Sequence, residues 1–83
     1  MNTNMSISDQ ILTSLAIRLK VDASKIQPQQ SLRQDLGLDS ADSIELIFAL
    51  EETFNIEVSD QDFRKLTTVS DVIQYVRGRL QTT

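Results

Sequence analysis

Ser40 is the one side chain in this sequence whose setting suggests chemistry. It stands in "DLGLDSADSIELIFALEE", Asp35 to Glu52, with Asp39 before it and Asp42 two positions on. A nucleophilic serine needs a base. The chain has no His, which removes a Ser-His triad and any His-coordinated zinc. It has no Cys, which removes a thiolate nucleophile and any disulfide. Two readings of Ser40 are left. One is helix-cap chemistry, since Ser is common at helix starts. The other leaves its hydroxyl free at the helix start. Asp39 can cap the same helix, which would leave Ser40 as the first helical residue with its hydroxyl facing solvent. A helix N-terminus is also a natural seat for a phosphate ester. Asp39 and Asp42 would oppose a phosphate, so they suit capping and the approach of a basic enzyme better.

The charges around Ser40 point the same way. No Lys or Arg occurs between Arg33 and Arg64, and that interval holds nine of the twelve acids: Asp35, Asp39, Asp42, Glu45, Glu51, Glu52, Glu57, Asp60 and Asp62. No i,i+4 base within the interval offsets them. A solvated acidic face is the plain reading, but one so concentrated repels itself and attracts basic partners. A net charge of −4 and a pI near 4.5 argue against binding nucleic acid through its phosphates.

These residues need a scaffold, and the scaffold must be small. At 83 residues one domain spanning 1–83 is expected, burying only about 60% of its unfolded surface. The 40% apolar and 24% charged content suits a globular chain, and two Gly with one Pro leave few turns for a many-stranded β fold. No apolar run approaches the roughly 20 residues that span a bilayer. "MNTNMSISDQ" lacks the basic-then-apolar order of a signal peptide. With no Cys, a cytoplasmic location is expected.

Apolar spacing predicts three main helices. Ile7, Ile11, Leu12, Leu15 and Leu19 share one face of a helix over Ser6–Lys20, opened by a Ser6-x-x-Asp9 capping pattern. Arg18 and Lys20 suit its C-terminal dipole. A long connection from Val21 to Asp39 follows, and a loop of that length has to be pinned. Ile26, Leu32 and Leu36 are the expected pins, with Gly37 supplying a conformation that a Cβ would resist. The second helix, Ser40–Asn55, has Asp39 as N-cap and Asp42 at N3. It carries two apolar stripes: Leu46, Ile47, Leu50 and Phe54 as a core face, and Ala41, Ile44 and Phe48 beside Glu45 as extra core or a docking surface. A short helix is expected around Ser59–Lys65. The last opens at Thr68-x-x-Asp71 and repeats Val69, Val72, Ile73, Val76 and Leu80. The fold class is therefore all-α: a small antiparallel helical bundle with three main helices, one short helix and a long first loop.

The stretch "DLGLDSADSIELIFALEETFNIEVSDQDFRKLTTVSDVIQYV" resembles the acyl carrier protein family. The "LGLDS" loop running into an "ELIFALEETF" helix carries the resemblance, as does "KLTTVSDVIQYV" at the expected distance. The resemblance implies a free-standing, monomeric carrier rather than an enzyme, with no metal. Ser40 would hold a covalent 4′-phosphopantetheine arm, whose thiol carries an acyl group as a thioester. A phosphopantetheinyl transferase would do the catalysis, so Ser40 needs no base of its own. The missing thiol would arrive with the prosthetic group. By the same resemblance Asp39, Ala41, Asp42, Ile44, Glu45, Phe48, Glu51 and Glu52 form a docking face. Its partners would be acyl-transfer, ketosynthase or ligase enzymes with basic patches. Leu46, Ile47, Leu50 and Phe54 would line an acyl cavity.

The sequence departs from the family at three places. Ala41 replaces the usual Leu after the serine, Phe48 stands where Met is frequent, and Ser59 stands where many members have Pro. A fatty acid, specialised lipid or polyketide pathway fits, as does an aminoacyl or peptidyl carrier. The rival class is a non-carrier acidic helical module with Ser40 unmodified. A hydrolase fails on the missing His.

Overall fold

Four α-helices and one 3₁₀ turn account for the regular structure of the computed structural model, which describes residues 6–81. The N-terminal stretch through Met5, part of the segment read for a signal peptide, lies outside the described residues, as do the last two positions of the expected 1–83 domain. The helices are α1 (Ile7–Leu19), α2 (Ser40–Phe54), α3 (Asp60–Phe63) and α4 (Val69–Gln81), with the 3₁₀ turn at Ala23–Lys25.

Each helix begins where a side-chain oxygen can satisfy an orphan N–H. The Ser6 hydroxyl accepts from the Asp9 N–H at 3.1 Å and opens α1. Ser59 accepts from the Asp62 N–H at 3.1 Å and opens α3, so the serine that replaces the family's Pro has a capping task. Thr68 Oγ1 accepts from the Asp71 N–H at 3.1 Å, while the Thr68 N–H donates back to Asp71 Oδ2 at 3.0 Å. Helix ends fall at left-handed residues, Lys20 (φ 59°) after α1 and Asn55 (φ 55°) after α2. Asn tolerates that conformation well.

The long connection is held by side chains and backbone together. Ile26 and Leu32 are buried as expected, while Leu36 is only half-buried and Leu38 takes the deeper position. Gly37 has φ +73°, and nothing lies within 4 Å of where a Cβ would sit, so its backbone angle and not its space calls for glycine. The Leu32 N–H donates to the Thr67 carbonyl at 2.9 Å. The Val69 and Ser70 N–H groups donate to the Gln30 and Pro28 carbonyls at 3.1 and 2.8 Å. The loop thus supplies acceptors to the first N–H groups of α4, which no helix can satisfy internally.

α1 packs against both α2 and α4 around a core whose fully buried members include Ile11, Leu15, Leu46, Leu50, Val72 and Val76. Among the described residues no buried side-chain polar atom lacks a partner. The two stripes of α2 part as their spacing suggests. Leu46, Ile47 and Leu50 are buried and Phe54 is half-buried, whereas Ala41 is exposed, Ile44 is 43% exposed and Phe48 61% exposed. The short α3 cannot hold itself by its own hydrogen bonds. The Tyr75 hydroxyl of α4 donates to Asp62 Oδ2 at 2.8 Å and ties it down.

This division of α2 sets two mutational outcomes apart. Leu50→Ala should cost about 2–5 kcal/mol, as large-to-small core changes do. Phe48→Ala should stay within about 0.5 kcal/mol of wild type. Urea melts of the two variants run side by side check both.

Candidate functional site: a free serine at the start of α2

The start of α2 is capped without Ser40. Asp39 Oδ1 accepts from the Asp42 N–H at 2.8 Å, and Asp42 Oδ2 faces the Asp39 N–H at 3.5 Å, a reciprocal capping box. The Asp39 carbonyl takes the Ser43 N–H at 2.9 Å as the first turn closes. Ser40 is the first helical residue, it is exposed, and its hydroxyl has no partner among the described residues. Ser43, one turn on, is 9% exposed.

Beside Ser40 a cleft of about 580 Å³ opens between the long loop, α2 and the segment around α3. Leu32, Phe63 and Leu66 give it apolar walls, and Ser31, Ser43, Thr67 and Thr68 give it hydroxyls. Arg33 and Arg64 both line it. These are the two bases that bound the acidic interval in the sequence, and the fold brings them to one cleft beside the serine. None of Leu46, Ile47, Leu50 and Phe54 borders this cleft. The first three sit in the core behind it.

The acids of α2 are less free than their sequence suggests. Asp39 and Asp42 are engaged in the cap. Glu51 Oε2 accepts from the Val58 N–H at 2.8 Å and braces the turn after the helix. Glu45 Oε1 pairs with Arg18 Nη1 of α1 at 2.9 Å. No base within the acidic interval could make that pair, so the cation comes from a neighbouring helix, which spacing along one helix cannot reveal. Glu52 is exposed and unpaired. Around it Glu45, Phe48, Ala49 and Asn55 border a shallow hollow that Arg18 closes.

A family model described as the phosphopantetheine attachment site matches residues 9–76. An acyl carrier protein from Chlamydia caviae is 45% identical over 75 residues, covering 90% of this chain and 97% of that protein. One from Helicobacter pylori is 43% identical over 72 residues, covering 87% of this chain and 92% of that protein. The chain belongs to the acyl carrier protein family. Its fold agrees: a Mycobacterium tuberculosis chain assigned to the acyl carrier proteins superposes with a TM-score of 0.83 at 33% identity, covering 88% of this chain and 97% of that one.

An acyl carrier protein is a carrier that works with enzymes, including a transferase that modifies it, and not itself an enzyme. Its prosthetic group is 4′-phosphopantetheine, held covalently. The residues beside Ser40 fit such a group. An unbonded exposed hydroxyl can take a phosphoester, two arginines are among the residues lining the cleft beside it, and the other walls include both hydroxyl-bearing and apolar residues. Among the described residues no helix is long and apolar enough to cross a membrane.

One carboxylate fixes the far rim of the carrier's cleft. Asp71 Oδ2 accepts from the Thr67 hydroxyl at 2.8 Å and from the Thr67 and Thr68 N–H groups at 3.0 Å each. The Thr67 hydroxyl, and then the two N–H groups, hold the Asp71 carboxyl below the usual carboxylate range. Because the folded state favours the ionised form, the stabilisation is full above the unfolded value and is lost as pH falls through the lower folded value. Asp71→Ala should therefore destabilise by about 0.5–2 kcal/mol near pH 7, the range for loss of a helix cap. The gap from wild type should narrow as pH falls below about 4, where an unfolded aspartate protonates. Urea melts of both proteins across that range check it.

Proposed function

We propose that Ser40 is the attachment point of the 4′-phosphopantetheine arm. The observation that carries this reading is the free hydroxyl at the first position of a helix already capped by Asp39 and Asp42. In this reading Ser40 contributes the oxygen of the new phosphoester bond. A phosphopantetheinyl transferase contributes the base that takes the serine proton, in keeping with a chain that has no His. Arg33 and Arg64, which line the cleft beside Ser40, would offset the charge of the phosphate, and the hydroxyl-bearing cleft would receive the amide-rich arm. The arm's terminal thiol supplies the chemistry of carriage, holding the acyl group as a thioester. Leu46, Ile47, Leu50 and Phe54 make the apolar interior that yields space to an acyl chain.

The partners are enzymes with basic, partly apolar patches: the transferase, then acyl-transfer, ketosynthase or ligase enzymes. They dock on Asp39, Ala41, Asp42, Ile44, Glu45, Phe48, Glu51 and Glu52. Exposure of Ile44 next to Glu45 and of Phe48 in the hollow with Glu52 supports this, since large apolar groups left in water on a charged face are the usual mark of a contact surface. The carrier acts as a monomeric single domain in the cytoplasm, serving fatty acid, specialised lipid or polyketide synthesis.

With a phosphopantetheinyl transferase and coenzyme A, intact mass should rise by one phosphopantetheinyl group. Ser40→Ala should show no rise, and peptide mapping should find Ser43 unmodified in the wild type. A mass gain on the Ala variant would move the attachment point elsewhere, and an unmodified wild type would return the chain to the non-carrier class.

A further inference from the structure

Arg18 reaches from the last turn of α1 to the middle of α2 and makes two bonds to one residue. Its Nη1 donates to Glu45 Oε1 at 2.9 Å, and its Nη2 donates to the Glu45 backbone carbonyl at 3.2 Å. Both side chains keep contact with water, Arg18 at 29% and Glu45 at 63% exposure. Ion pairs in such a setting are weak, equivalent to no more than about a fivefold change in an equilibrium constant. The pair can therefore open under modest competition.

Its position gives that competition a meaning. Ile44 and Phe48 lie three residues or fewer from Glu45 on α2, both largely exposed. A hollow of about 780 Å³ runs from the Arg18–Glu45 pair past Phe48 and Ala49 to Glu52 and Asn55. On this face Glu52 is open and Glu45 is already occupied by a guanidinium of the same chain. We propose that Arg18 is an internal competitor for Glu45, filling the place that an arginine of a docking enzyme must take. The proposal rests on the docking face of the preceding section, and charge complementarity fixes the occupant as a basic, partly apolar enzyme patch.

The competition selects among partners. An incoming arginine can match the two-point contact that Arg18 gives up, and apolar cover over Phe48 shields the new pair from water. A lysine offers a single compact charge and displaces Arg18 less well. A released Arg18 still sits at the C-terminal end of α1, where the helix dipole favours a cation, so its release is not heavily penalised. Arg18 thus raises the standard that a basic surface must meet before it engages the middle of α2, and it acts on binding rather than on any bond made at Ser40.

The test is a double-mutant cycle on the full chain, with phosphopantetheinyl transferase and coenzyme A as the probe. Rates are measured against carrier concentration over a sodium chloride series, and circular dichroism checks that each variant is folded. Arg18→Gln should lower the KM for the carrier by about twofold to fivefold, leave kcat unchanged and steepen the salt dependence. In the Glu45→Gln background the same Arg18→Gln change should have no effect on KM. Equal lowering in both backgrounds would overturn the proposal, since Arg18 would then only repel the partner. No lowering, in a series where Glu52→Gln does raise KM, would overturn it while leaving the docking face in place. Should Glu45→Gln and Glu52→Gln leave KM and salt dependence untouched, with Arg18 present or absent, the docking face fails and the proposal falls with it.

Discussion

The start of α2 must be capped by something other than Ser40, and much of the site follows from that constraint. A serine at this point would normally spend its hydroxyl on an orphan backbone N–H. The Asp39–Asp42 capping box removes that demand. Ser40 is then helical, with fixed backbone angles and a hydroxyl left over. The same two carboxylates set a limit on what else the helix end can do. Negative charge at a helix N-terminus is stabilising for the helix, yet it opposes a phosphate at the adjoining hydroxyl. Arg33 from the long loop and Arg64 from just beyond α3 line the same cleft, and on the proposed attachment at Ser40 they would offset that charge from outside the helix.

Bringing those arginines to one place requires the long loop and α3 to be held, since neither has enough regular structure to hold itself. The loop is secured at its apolar residues, Ile26, Leu32 and Leu38, and again by carbonyls given to the first turn of α4. α3 is a single turn secured by its Ser59 cap and by Tyr75. The Tyr75 phenol lies above its ordinary titration range, chiefly because it is partly buried and next because it donates to Asp62. It therefore remains a donor throughout the neutral range. The cleft beside Ser40 thus has one strongly capped wall, α2, and one lightly tethered wall around α3. On the proposed attachment at Ser40, that asymmetry would let the α3 side of the cleft open around the tethered arm without disturbing the core.

The three long helices were legible in the sequence because each carries a 3.6-residue apolar period and a capping residue at its start. The Thr68–Asp71 and Asp39–Asp42 boxes appear where the residue spacing put them. Burial of Leu46, Ile47 and Leu50 against exposure of Ile44 and Phe48 was legible for the same reason. The loop was only partly legible. Leu36 and Leu38 flank a glycine in the left-handed region, and alternation cannot say which of two leucines points inward once the chain reverses direction there. Arg18–Glu45 and the shared cleft of Arg33 and Arg64 were not legible, because they join residues far apart in sequence and no local period encodes such a meeting. Ser40 drew attention through the competent cap before it and the absence of His and Cys, but its reading as an attachment point came from the resemblance of the LGLDS stretch to the acyl carrier proteins.

The acidic interval shows why a local count of charges misleads about a surface. Read along the chain, nine carboxylates without a base should repel one another and cost stability. In the fold most of those on or beside α2 have structural partners: Asp35 accepts from the Ser31 N–H, Asp39 and Asp42 cap the helix, Glu51 takes the Val58 N–H, and Glu45 takes Arg18. Backbone N–H groups and one guanidinium thus give these carboxylates partners that the base-free sequence interval does not supply. What reaches the solvent without a partner on α2 is chiefly Glu52, which shares a hollow with the exposed Phe48. Several carboxylates on or beside α2 are thus tied to groups of the fold itself. On the proposed docking face, long-range attraction would arise from the whole negative field, whereas the fit at contact would depend on which of those carboxylates can exchange an internal partner for an external one.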